Sequence, residues 1–118
     1  MALQISERES EGVTIIGLTG RVTLGEESNQ LRNRFKEILA QGKTRLVLDL
    51  GEVRFIDSAG LGTLVAGYTT ARNQGANIKL ANLTKKLDEQ LHITKLVTIF
   101  EVHDNVADAI KSFQAPAS

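Results

Sequence analysis

The sequence predicts an α/β fold: a single small domain with a mixed, mostly parallel sheet, an N-terminal β-hairpin and about four helices. Three observations carry this. Short runs of strand-forming residues alternate with segments whose apolar residues recur at helical spacing, the pattern of a sheet built through helical crossovers. The first two runs are joined by only a few polar residues, which pairs them antiparallel. Arg45-Leu-Val-Leu-Asp-Leu50 is a short, nearly continuous apolar run of the kind found in a parallel strand covered on both faces.

Leu3 to Glu9 and Val13 to Thr19 read as the two hairpin strands, with Ser10-Glu-Gly12 turning the chain between them. Thr23-Leu-Gly-Glu26 has the S/T-x-x-E form of a capping box, and Leu31, Phe35, Ile38 and Leu39 follow at helical spacing up to a stop at Gly42. The central strand at 45–50 comes next. Leu61, Leu64, Val65 and Tyr68 form the stripe of a second helix that stops near Arg72-Asn-Gln-Gly75. Ile78 to Ala81 is a strand, and Asn82 is placed to cap a third helix with Leu83, Leu87 and Leu91 on one face. Thr98 to Val102 reads as a last short strand, and Asp104 as the cap of a helix carrying Val106, Ala109, Ile110 and Phe113. The domain is expected to occupy residues 1–113, with 114–118 as a frayed tail.

Composition narrows the function. Fourteen basic and fourteen acidic residues cancel, so the field needed to hold a phosphate backbone is missing and nucleic acid is not an expected partner. No apolar run approaches the roughly 20 residues that cross a bilayer, and MALQISERES lacks a signal-peptide core, so a cytoplasmic protein without membrane association is expected. The chain has no cysteine, and His92 and His103 stand apart without paired carboxylates, so neither a metal site nor another cofactor is expected. His92 reads as a structural residue, His103 as part of a strand-to-helix turn, and Lys85-Lys86 as a solvated face.

The segment with the most chemistry is Phe55-Ile-Asp-Ser-Ala-Gly-Leu-Gly62, where an apolar run that reads as buried gives way to a helical pattern. Asp57 stands at the helix N-cap, and Ser58 is either the cap or the first residue inside. Capping alone would account for both, at about 1 kcal/mol. Gly60, Gly62 and Gly67 change the balance, because each forgoes about 1 kcal/mol of helix propensity relative to alanine and something must offset the sum. Part of the offset is close approach of helix to sheet. Ser58 and Gly62, four apart, share a helical face on which bare backbone lies beside the hydroxyl, and a flat docking surface around an accessible serine is the single reading that best covers the three. Catalytic readings fit poorly. A nucleophile elbow needs glycine two positions before the serine, where Ile56 stands, and a Walker loop needs a lysine that Leu61-Gly62-Thr63 does not offer.

With Leu46-Val-Leu-Asp-Leu50 before it and a helix after it, the stretch at 55–62 resembles the signature of the STAS domains, specifically the bacterial anti-sigma factor antagonists. The resemblance extends over residues 3–113, through Gly20-Arg-Val-Thr23, Ile78-Lys-Leu-Ala81 and Leu91-His-Ile-Thr-Lys-Leu96. It implies a non-enzymatic antagonist, monomeric when free. Such a protein binds an anti-sigma factor that is also a serine kinase and so releases a sigma factor. The kinase phosphorylates Ser58, which separates the pair, and a PP2C-type phosphatase restores binding. Carried onto this chain, the partner-binding positions are Thr23, Asp57, Ser58, Ala59, Gly60 and Gly62. Sporulation-type members often have aspartate where this chain has Thr23, which bears on the identity of the partner. The alternative is a STAS scaffold or adaptor outside kinase control, as in stressosomes or lipid-transport complexes. A small nucleotide hydrolase is a third reading, which turnover surviving Ser58→Ala would favour.

Overall fold

In chain order the elements are β1 (Leu3–Ser10), β2 (Val13–Val22), α1 (Glu26–Ala40), β3 (Arg45–Ile56), α2 (Ser58–Asn73), β4 (Asn77–Ala81), α3 (Lys85–Ile93), a 3-10 turn at Leu96–Thr98, β5 (Glu101–His103) and α4 (Val106–Gln114). This is a computed structural model and describes residues 3–114. The five strands form one sheet in the order β1-β2-β3-β4-β5, antiparallel between β1 and β2 and parallel elsewhere. The expected fold class is therefore observed: one α/β domain, a hairpin, a mostly parallel sheet and four helices.

Alternation along the strands divides the sheet into two apolar faces. Leu3, Ile16, Leu18, Leu46, Leu48, Ile78 and Leu80 meet Leu31, Phe35 and Ile38 of α1, Leu61 and Leu64 of α2, and Leu87 and Leu91 of α3. Each fully buried side chain of this kind contributes about 1.5–3 kcal/mol. The opposite face, Val13, Ile15, Val47 and Ala81, is covered by Ala109 and Ile110 of α4. There Lys79 is 6% exposed. Its ammonium donates to Ser112 Oγ at 2.6 Å, pairs with Glu101 at 3.0 Å and lies 4.1 Å from the centre of the Phe113 ring. Burial works against the Glu101 carboxylate, but hydrogen bonds from His103 and Lys79 outweigh it and hold the group below its ordinary range.

Several boundaries differ from the expected ones, each for a local reason. β3 runs to Ile56 instead of ending at Leu50. Against β2, Gly17 to Thr19 spans Asp49 to Glu52, and Gly20 to Arg21 spans Val53 to Phe55, so β3 carries one extra residue at each of two bulges. The bulges change its buried spacing from two to three: Leu46, Leu48 and Leu50, then Val53 and Ile56. Phe55 is left 38% exposed instead of buried. The capping box at Thr23 does not form, because α1 starts after Gly25, which has φ +100, and Thr23 Oγ1 instead donates to Glu27 at 2.6 Å. Asn82 takes a left-handed conformation and donates to Asp49, leaving Thr84 as the cap of α3 through Leu87 N–H. At α4, Asn105 rather than Asp104 accepts the Asp108 N–H, at 2.8 Å. The last strand begins at Glu101, since Leu96–Thr98 coils as a 3-10 turn. Gln114 still belongs to α4 and donates to the Glu11 carbonyl, whereas the rest of the expected tail, 115–118, lies outside the described residues.

Candidate functional site

The site forms where β3 ends and α2 begins. The Asp57 N–H donates to the Val22 carbonyl at 3.3 Å, and the Gln90 side chain donates to the Ile56 carbonyl at 2.7 Å, so the strand end is held from β2 and from α3. Asp57 is the N-cap of α2, and Ser58 is the first helical residue. The Asp57 carboxylate engages two elements: Oδ1 accepts the Gly60 N–H at 2.8 Å, and Oδ2 accepts the Leu24 N–H at 2.9 Å. The first bond closes the cap. The second ties the β2–α1 turn to the start of α2 across 33 residues of sequence. These backbone donors, Gly60 first and then Leu24, hold the carboxyl below its ordinary range.

The turn itself is firmly held. The Thr23 carbonyl accepts both the N–H and the hydroxyl of Ser28, at 3.1 and 2.7 Å, and the Gly25 carbonyl accepts the Asn29 N–H. Leu24, between Thr23 and Gly25, is 78% exposed.

The six candidate residues thus lie on two adjoining segments, with unequal access. Ser58 and Gly62 are exposed, and Thr23, Asp57 and Ala59 are half-buried. Gly60 is buried, and a Cβ there would collide with the Val22 carbonyl, so it supports the surface from beneath instead of lining it. At Gly67 a Cβ would come within 2.6 Å of the Phe35 ring. At Gly62 a Cβ would meet nothing within 4 Å. Two of the three glycines are therefore explained by packing, and only Gly62 keeps open backbone beside the serine.

A match to the STAS domain model spans residues 4–109. The chain belongs to the STAS domain family. A relative, the anti-sigma F factor antagonist of Paenibacillus polymyxa, is 25% identical over 115 residues, covering 97% of each chain. Among solved structures, an anti-sigma factor antagonist from Mycobacterium paratuberculosis superposes with a TM-score of 0.83 at 20% identity, over 96% of this chain and 95% of that one. The Bacillus cell fate determinant SpoIIAA in its phosphorylated form gives a TM-score of 0.70 at 18% identity, over 95% and 99%. At these identities the two structures speak for the fold alone.

In this STAS domain the histidines lie in other pairings. His92 faces Asp88 across one helical turn at 3.6 Å, and His103 contacts Glu101 at 2.6 Å. Among the described residues, no three His, Asp or Glu side chains cluster as metal ligands would, and no helix is long and apolar enough to cross a membrane. Two residues at the site were missed in the sequence. Gln90 gave no signal beyond its position on α3. Leu24 could have been noticed as a large apolar residue inside a turn otherwise made of Thr, Gly and Glu.

Proposed function

We propose that this STAS domain is a cytoplasmic anti-sigma factor antagonist that sequesters an anti-sigma factor with serine-kinase activity, and that phosphorylation of Ser58 switches it off. The observation that carries the reading is the division of labour at the start of α2. Asp57 takes the cap, which leaves the Ser58 hydroxyl exposed and uncommitted to capping, beside the open backbone of Gly62. In the modification, Ser58 Oγ attacks the γ-phosphorus of ATP. The hydroxyl proton passes to a base of the kinase, the bond from the γ-phosphorus to the β,γ-bridging oxygen breaks, and ADP leaves. A phosphatase of PP2C type would hydrolyse the ester and regenerate the hydroxyl.

The product carries about −1.5 to −2 charges at neutral pH. A helix N-terminus tolerates an anion, so the fold is expected to persist. Within a desolvated contact the same charge opposes binding. The test is titration of the purified kinase with unmodified protein, with Ser58→Ala and with the phosphorylated form, alongside amide NMR spectra. Ser58→Ala should bind like the unmodified protein and the phosphorylated form at least about thirtyfold more weakly, which corresponds to about 2 kcal/mol. Equal affinities for both forms would remove Ser58 from the mechanism, and shift changes through the sheet and all four helices would mean a conformational switch instead.

A further inference from the structure

Leu24 is a large apolar side chain held out into solvent. Isolated exposed leucines are ordinary on protein surfaces and call for no account by themselves. This one differs in how it is held. Its N–H is fixed by Asp57, the residue before it is braced by Ser28 and Glu27, and the residue after it accepts from Asn29. Gly25 places no side chain beside it, and φ +100 makes any replacement of that glycine strained. The side chain is 78% exposed, so contacts within the domain do not explain a leucine here.

We infer that Leu24 is the apolar anchor of the partner interface, inserting into an apolar pocket on the anti-sigma kinase, and that Asp57 acts as the positioning residue that presents it beside Ser58. An anchor on a rigid turn loses little conformational freedom on binding, and a handful of residues seated in desolvated pockets near the centre of a contact carry most of its energy. The chemistry of the pocket follows from what surrounds Leu24. Asp57 is bonded to its N–H, and Glu26 and Glu27 open α1 immediately after the turn, so the complementary pocket is aliphatic with a cationic rim. This inference rests on the kinase-binding reading and adds the residue that gives it affinity and a criterion for partner choice.

The probe is the serine kinase of the source organism that phosphorylates Ser58 in vitro, purified and titrated by biolayer interferometry against Leu24→Ala, Leu24→Met and Leu24→Glu in the full chain. Thermal melts run in parallel. The expected result is unchanged melting for all three variants, with Leu24→Met within threefold of the parent. Leu24→Ala should bind at least tenfold more weakly, mainly through faster dissociation, and Leu24→Glu more weakly still. If the kinase binds and phosphorylates the parent but Leu24→Ala binds equally well, the anchor is overturned and the kinase-binding function stands. Melting that falls in step with binding would also overturn it, by making Leu24 a structural residue. If no kinase modifies Ser58 or binds the unmodified chain, the functional reading fails and the anchor with it.

Discussion

Gly60→Ala and Gly62→Ala are the same substitution two residues apart in α2, and they should change stability in opposite directions. At Gly62 the added methyl meets nothing within 4 Å, so the helix-propensity gain of about 0.8–1 kcal/mol should appear almost in full. At Gly60 the methyl would overlap the Val22 carbonyl oxygen and lie 3.0 Å from both Ile56 Cγ2 and Val22 Cγ1. A backbone carbonyl cannot rotate away, so α2 must shift outward from β2. Overpacking of this kind costs about 1–3 kcal/mol, and a backbone obstacle puts it at the upper end. With the propensity gain subtracted, the net loss is about 2 kcal/mol, and the two variants differ by about 3. For a urea slope of about 1–3 kcal/mol/M that difference separates their denaturation midpoints by at least about 1 M. Equilibrium urea melts followed by far-UV circular dichroism measure it directly. A neutral Gly60→Ala would mean that α2 slides freely over β2. A destabilised Gly62→Ala would mean that the open face beside Ser58 is not open.

Four further substitutions probe the site and the opposite face of the sheet. In Asp57→Asn the single side-chain oxygen can keep the Gly60 bond but not a second acceptor for Leu24, so amide exchange at Leu24 should accelerate while Gly60 stays protected; equal protection would deny the tie between turn and helix. Because the Asp57 carboxyl is held below its unfolded value, its contribution to stability is full above about pH 4 and is lost as pH falls through the folded value, so the wild-type advantage over Asp57→Asn should shrink on acidification in pH-dependent melts. Ser58→Glu, at an exposed first helical position, should change unfolding free energy by less than about 1 kcal/mol, and a loss of several in denaturant melts would make Ser58 a buried structural group. On the opposite face, Lys79→Met should stay within about 1–2 kcal/mol of wild type, because an apolar side chain fills the buried position and the half-exposed Glu101 carboxylate it leaves is solvated, whereas Glu101→Gln, which leaves the buried ammonium without its carboxylate, should cost more; the reverse order in calorimetry would refute this account of the cluster.

The parts of this domain that were legible are those where one regular period decides burial. The helical stripe of Leu61, Leu64, Val65 and Tyr68 follows a single period and places α2 correctly, and the nearly continuous apolar run from Arg45 to Leu50 places the start of β3, within which Leu46, Leu48 and Leu50 alternate onto one face and Val47 onto the other. Past Leu50 the period fails, because the two bulges insert residues that no alternation rule anticipates, and Gly51-Glu52 looks like the end of a strand when it is the first bulge. Phe55 was misassigned for the same reason. Cap positions shifted by one to two residues at α1, α3 and α4, where Thr23, Asn82 and Asp104 each had a competing residue close by. At the candidate site, Asp57 and Ser58 were visible because capping chemistry is local. The bond from Leu24 to Asp57 was not, because it joins segments that only the parallel pairing of β2 with β3 brings together. The glycines were legible as costly but not as distinct, since propensity alone does not show which of them faces Phe35, which faces Val22 and which faces solvent.

The same carboxylate explains why the proposed switch need not deform the domain that carries it. Asp57 already uses two backbone donors, the Gly60 and Leu24 N–H groups, and the Leu61 N–H is bonded to the Asp57 carbonyl. A phosphate on Ser58 would stand on an exposed residue at the helix start, so most of its charge would face outward. In the free protein that charge and Asp57 repel each other through solvent of dielectric constant about 80, and the positive end of the α2 dipole acts in the opposite sense. In a docked complex, water leaves and the effective dielectric constant falls to about 20, which multiplies the same repulsion about fourfold, while the phosphate also loses its hydration. On the proposed function, the phosphate would thus be tolerated by the fold and opposed by the contact. The difference comes from solvent screening rather than from any movement of the sheet, so an antagonist of this kind can be switched without being unfolded.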